Sequence, residues 1–251
     1  MFGPFAALSP YSLGPFAFPA PHLARVISLA AAASEPIRIR PSGRPTPSGR
    51  PHDWTPLRVA GPGSYEFVST LPAWMRSRIF DPAAEPWRIP DTLQPEERLA
   101  VLDVIADIGT MQPAQREIAW QLRLAGGNDE WAVAVATLRY VQQLGYVDDP
   151  AGDWYQGTLY TISGRARGHA GDCEDLAAEL VVLLRLNGIQ AWMWWVFQDG
   201  AALNHVTVRT KVDSVDLWAD PSVTGAELGE NPYHAAKRLK QQGRVGLRTA
   251  A

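Results

Sequence analysis

Residues 174–186 constrain the fold of this chain more than any other stretch. Leu176, Ala177, Leu180, Val181, Leu183 and Leu184 recur at helical spacing, and Asn187-Gly188 supplies the stop, so a short, one-sided helix is predicted. Directly after it the period changes to two. Residues 191–197 (AWMWWVF) are apolar on both faces, as in a central, covered strand, while residues 205–210 and 215–220 alternate like half-covered antiparallel strands. The expected class is α+β: helices first, then a helix packed on an antiparallel sheet.

The only cysteine, Cys173, opens this helix within Gly168-His169-Ala170-Gly171-Asp172-Cys173-Glu174-Asp175-Leu176. Its position relative to Leu176, Ala177 and Leu180 places it on the inward stripe, at the floor of a cleft. Asp172 is placed to cap the helix, with Asp175 at the third position as in a capping box. The first-turn N–H groups are then donors for an oxyanion over the thiol. Most lone cysteines are small core hydrophobes, so a catalytic reading needs a base.

His205 is that base. A hairpin pairing Thr210 with Val215 sets Arg209 opposite Asp216, an attractive charge pair, and sets His205 opposite Asp220. Asp220 then orients one ring nitrogen and leaves the other for the thiol proton, a Cys-His-Asp arrangement of Cys173, His205 and Asp220. His169 is nearer in sequence and ranks second, because no carboxylate is placed to orient it; His22, His52 and His234 receive no role. Asp172, Glu174 and Asp175 raise the thiol pKa, whereas the helix start and a protonated His205 lower it.

The rest of the chain divides by composition. Residues 1–70 interleave Phe2, Phe5, Phe16 and Phe18 with prolines and repeat Pro-Ser-Gly-Arg-Pro at 41–45 and 47–51, so they read as an extended arm and linker that lies on a partner subunit. Residues 71–230 form the domain, with helices at 96–108, 113–124 and 130–144 and a loop over 146–171. Residues 231–251 are a tail with room for a short helix. A net charge of −3 with no basic stripe argues against nucleic acid as a partner. No apolar run has transmembrane length, residues 26–33 lack the flanks of a signal peptide, and one cysteine suits a reducing cytoplasm.

The words RYVQQLGYVDDP, DWYQGTLYTI, GDCEDLAAELVVLLRLNGIQAW, NHVTV and DLWADPSV, in this order over residues 140–223, resemble the transglutaminase-like cysteine proteinase superfamily, and most of all its bacteriophage branch of transglutaminase-like cysteine peptidases. The resemblance implies a papain-like, transglutaminase-like core with Cys173 as nucleophile, His205 as base and Asp220 as orienting carboxylate. It also implies a second oxyanion donor before the cysteine, for which Trp154 and Gln156 are the candidates. The segment 165–170 is longer than the family pattern. The implied activity is acyl transfer through a thioester on a peptide-like or protein substrate, as a thiol protease or as an acyltransferase, with no cofactor and no metal ion. The implied setting is the host cytoplasm during particle assembly and then the virion, where the arm contacts other subunits. The contrasting expectation is a non-catalytic virion protein that keeps the fold as a scaffold.

Overall fold

The structure is a computed structural model and describes residues 62–127, 129–164, 170–198, 204–230 and 239–244. Among these, the order is α1 (Pro62–Thr70), α2 (Ala73–Ile79), β1 (Trp87–Arg88), α3 (Pro95–Thr110), α4 (Pro113–Ala125), α5 (Glu130–Gln142), β2 (Trp154–Tyr155), α6 (Thr158–Gly164), α7 (Cys173–Leu186), β3 (Gln190–Gln198), β4 (Asn204–Val212), β5 (Val215–Ala219) and β6 (Leu239–Arg244). Four antiparallel strands in the order β5-β4-β3-β6 form the main sheet, and β1 pairs with β2 in a small ribbon, which makes the unit α+β. No helix among the described residues is long and apolar enough to cross a membrane.

Helix α7 is the hub. It packs against α3, α4, α5 and α6 and against strands β3 and β4. The sequence predicts a one-sided helix, and the structure corrects this: all fourteen residues of α7 are buried. Ala178 and Val182 extend the apolar surface around the helix, and the polar members find internal partners. Gln115 Nε2 of α4 donates to Glu179 Oε2 at 2.7 Å, and Arg185 Nε donates to the Ala191 carbonyl at 2.6 Å. On the sheet, Ala191, Met193, Val206 and Val208 are buried, while Trp192, Trp194 and Arg209 on the alternate positions are half-buried.

Three expectations shift. The domain begins earlier than residue 71: α1 lies in the stretch assigned to the arm, yet it packs on α3. Tyr65 Oη donates to Asp107 Oδ2 at 2.6 Å and Ser64 Oγ to Asp103 Oδ2 at 3.5 Å, so two buried carboxylates of α3 hold it. The expected loop over 146–171 carries β2 and α6, which its aromatic and Gly-rich composition concealed. The tail supplies a strand where a short helix had room, because β6 pairs with the open edge of β3. Residues 1–61, including the arm and both Pro-Ser-Gly-Arg-Pro units, lie outside the described residues, as do His22, His52, His169 and His234.

The hairpin register also differs. Asp213 and Ser214 have φ of 48° and 70°, the positive pair of a two-residue turn, so the strands meet closer to the tip than a four-residue loop allows. Lys211 pairs with Asp216 and Arg209 with Trp218, two residues away from the predicted register. A two-residue slip leaves every side chain on its predicted face. Arg209 finds aromatic rings instead of a carboxylate: its guanidinium lies 4.7 Å from the Trp218 ring centroid and 5.6 Å from that of Trp194.

The docking of α1 has a direct test. Tyr65→Phe removes a donor from a buried carboxylate and is expected to lower unfolding stability by about 1–3 kcal/mol. The urea midpoint measures it, and an unchanged midpoint would show that α1 adds nothing to the domain.

Candidate active site

The slip in register turns the His205 and Asp220 positions from directly opposed to diagonal across β4 and the end of β5, and the two side chains still meet. His205 Nε2 lies 2.9 Å from Asp220 Oδ2, which leaves Nδ1 as the second ring nitrogen. Asp220 is fully buried, and its environment holds the carboxylate in one orientation. Ser222 donates to Asp220 Oδ1 from its backbone N–H at 3.0 Å and from its hydroxyl at 2.7 Å, closing a turn over Pro221. Gln142 Nε2 at the end of α5 donates to the carbonyls of Asp220, Val223 and Ala226 at 3.2, 3.0 and 3.0 Å. Ser222 Oγ is also 3.5 Å from His205 Nε2. The Asp-Pro-Ser word carried a signal for this turn, since an Asp side chain commonly accepts from the N–H two residues on. The role of Gln142 had none.

Cys173 is the first residue of α7 and is buried. Helix α7 packs on β4, and the Val206 backbone N–H, next in sequence to His205, lies near enough to the sulfur to favour its ionised form, so the helix start abuts β4 where the imidazole is mounted. The thiol donates to Glu174 Oε2 at 3.0 Å. Burial is the main cause that pushes the thiol pKa well above its usual value, followed by the charges of Glu174 and Asp172, while the Val206 N–H acts in the opposite direction. The two opposing influences read from sequence therefore resolve upward.

The capping expectation changes in detail. Asp172 occupies the N-cap position, but its side chain makes no cap hydrogen bond, and its Oδ1 is buried without a partner. The Asp175 carboxylate, at the third position, lies near the backbone N–H groups of Gln156 and Asp172, which oppose the rise of its pKa. Asp175, buried deepest in the cluster, is raised well above the ordinary carboxylate range, first by desolvation and then by the Glu174 charge. Asp172 is pushed up to about 11 by burial and by the charges of Glu174 and Asp175. Asp149, which accepts from the Trp154 N–H and faces Glu174, is raised to about 7 mainly by burial.

Gly171 shows why this entry to the helix is narrow. Its φ is +154°, and a Cβ there would meet the Asp175 side chain and come within 2.6 Å of the Gln156 amide nitrogen. The Gln156 amide is committed elsewhere: Nε2 donates to Thr161 Oγ1 at 3.1 Å and to the Ala170 carbonyl. Gln156 thus builds the wall beside Gly171 and has no N–H left for an oxyanion. Trp154 Nε1, in contrast, is buried without a partner and keeps its donor.

Among the described residues, Asp172, Cys173 and Glu174 form a group that could hold a metal ion, with their ligand atoms all within 4.8 Å of one another. No family model matches this sequence, and no curated protein matches it. Among solved structures, the chain resembles one described as "a Putative Cysteine Protease from Cytophaga hutchinsonii", at 10% identity over 57% of each chain and a TM-score of 0.33. The match therefore spans little more than half of that chain's length.

The acid cluster predicts how stability depends on pH. Asp172 at about 11, Asp149 at about 7 and Glu179 at about 8 all bind protons more tightly folded than unfolded, where values near 4 apply. From about pH 4 up to about pH 11 the folded state holds more protons, with the largest excess below about pH 7, so stability falls as pH rises through that window. The melting temperature is expected to be higher at pH 5 than at pH 8, with Asp149→Asn flattening the difference. A melting temperature that climbs from pH 5 to pH 8 would contradict this cluster.

Proposed function

We propose that the chain is a cysteine-dependent acyl-transfer enzyme acting on amide bonds of a peptide-like or protein substrate, a cysteine peptidase or a transglutaminase-like acyltransferase. The observation that carries the reading is the 2.9 Å contact of His205 Nε2 with the buried Asp220 carboxylate, on a strand that packs against the helix carrying Cys173. Asp220 accepts the Nε2–H and so fixes the tautomer with Nδ1 unprotonated, and that nitrogen takes the proton from the Cys173 thiol. The sulfur attacks the substrate carbonyl, and the first-turn N–H groups of α7, with Trp154 Nε1 as a further donor, receive the developing oxyanion. His205 returns its proton to the leaving amine, a thioester remains on Cys173, and water or a second amine resolves it. Within this proposal the Phe- and Pro-rich residues 1–61 serve contacts with other subunits of a phage particle.

One observation favours a scaffold instead. The thiol is bonded to Glu174, and its surroundings oppose ionisation, as for an inert structural cysteine. The rate of alkylation by iodoacetamide separates the two readings. For an enzyme, alkylation near neutral pH is fast and falls strongly in His205→Ala, while turnover falls by about 10²–10⁴-fold when the base is lost. Asp220→Asn lowers turnover with the fold intact, and Cys173→Ser abolishes activity with little change in melting temperature. Slow alkylation that is indifferent to His205→Ala would leave the scaffold reading standing.

A further inference from the structure

The start of α7 offers more than a nucleophile. Cys173 Sγ, a carboxylate oxygen of Asp172 and one of Glu174 converge within 4.8 Å of one another, with Sγ 3.0 Å from Glu174 Oε2. All three residues are buried, each 8% exposed. A tetrahedral zinc ion binds sulfur at about 2.3 Å and carboxylate oxygen at about 2.0–2.2 Å, which puts its donors about 3.4–3.6 Å apart, so small side-chain rotations bring these three to one ion. An independent observation points the same way. Asp172 Oδ1 is buried and accepts no hydrogen bond, although an N-cap carboxylate ordinarily accepts from its own first turn. A buried acceptor with no donor calls for a ligand.

We propose that Asp172, Cys173 and Glu174 form a binding site for a divalent thiophilic cation, zinc or an ion of similar chemistry, which holds the cysteine as a metal thiolate and withdraws it from acylation. The sulfur selects against magnesium and calcium, which prefer all-oxygen shells, and two carboxylates with one thiolate offset the charge of the ion. Binding forms sulfur–metal and oxygen–metal bonds and releases the protons of the Cys173 thiol and of the Asp172 carboxyl to solvent, with no change of oxidation state. The site shares its thiol with the acyl-transfer reading but does not rest on it, since a scaffold with the same three donors binds the same ion.

Cobalt(II) provides the probe. The reduced full-length chain is stripped with EDTA, exchanged into chelator-free buffer and titrated with cobalt chloride. The expected result is a near-ultraviolet sulfur-to-cobalt charge-transfer band that zinc chloride bleaches. Asp172→Asn and Glu174→Gln, both near-isosteric, are expected to weaken cobalt affinity by about tenfold or more, and His205→Ala to retain the band. Zinc is expected to slow iodoacetamide alkylation of Cys173, and EDTA to restore it. A wild-type chain without the band overturns the proposal, and this titration decides the matter even if a variant fails to fold. A band that persists in both carboxylate variants and disappears in His205→Ala also overturns it, because the ion then sits between thiol and imidazole. Metal-free alkylation of wild type against His205→Ala tests the acyl-transfer reading separately.

Discussion

Everything in this domain depends on burying α7 on all sides. A helix with one apolar stripe can leave its polar face in water, but α7 touches four helices and two strands, so each polar atom on it must be satisfied from within. At the C-terminal end this is achieved by arginines. Arg123 Nη1 donates to the Asn187 carbonyl at 2.8 Å and Arg185 Nε to that of Ala191, closing the turn into β3. In the middle, Glu179 meets Gln115, and burial raises the carboxyl to about 8, so it is largely a neutral acid at pH 7. At the N-terminal end three consecutive buried residues, Cys173, Glu174 and Asp175, follow a buried Asp172. There Asp172 Oδ1 has no hydrogen-bond partner, as is also true of Glu179 Oε1 in the middle and Asn187 Oδ1 at the far end.

The same constraint fixes the sheet relative to the cysteine. β4 is an interior strand, with β3 on one side and β5 on the other, so His205 is mounted on a backbone that has little freedom to shift. Asp220 lies just past the end of β5, where a carboxylate would ordinarily be free to turn, and Ser222 and Gln142 remove that freedom. Gln142 ends α5, which itself packs on α7. One helix therefore carries the thiol, and its neighbour holds the loop that carries the acid.

Much of this was legible in the sequence, and the failures have physical causes. Helices α3, α4, α5 and α7 and strands β3, β4 and β5 were readable because each carries its period over nearly its whole length. The pairing of Arg209 with Asp216 was persuasive but wrong: a cation flanked by Trp194 and Trp218 does not need a carboxylate, and turn geometry outranked charge in setting the register. The juxtaposition of His205 with Asp220 tolerated that error because it depends on the face, and a two-residue slip preserves the face. β2 and α6 were hidden because strands of two residues and helices of seven have no measurable period. Gln142 and Gln115 were invisible for another reason: a buried glutamine is recognised only by the carbonyls and carboxyls it meets, and none of these is near in sequence.

The acid cluster looks hostile to a thiolate, yet burial limits its own effect. Four carboxyl groups in water would surround Cys173 with four charges, but in the folded protein the most enclosed of them bind protons. Asp172 at about 11 is neutral at pH 7, and Asp175 shifts the same way. A neutral Asp172 presents a hydroxyl donor where an anion would have stood, and part of the repulsion on sulfur disappears with that charge. What remains is competition for one proton. Glu174 accepts from the thiol at 3.0 Å and keeps the sulfur neutral, whereas transfer to His205 would create a thiolate–imidazolium pair beside the Val206 N–H. In a dry site separated charges are stabilised chiefly by each other and by fixed dipoles. Anything that draws Glu174 away from the sulfur, whether a substrate amide or a cation, therefore changes the state of the cysteine without any movement of α7.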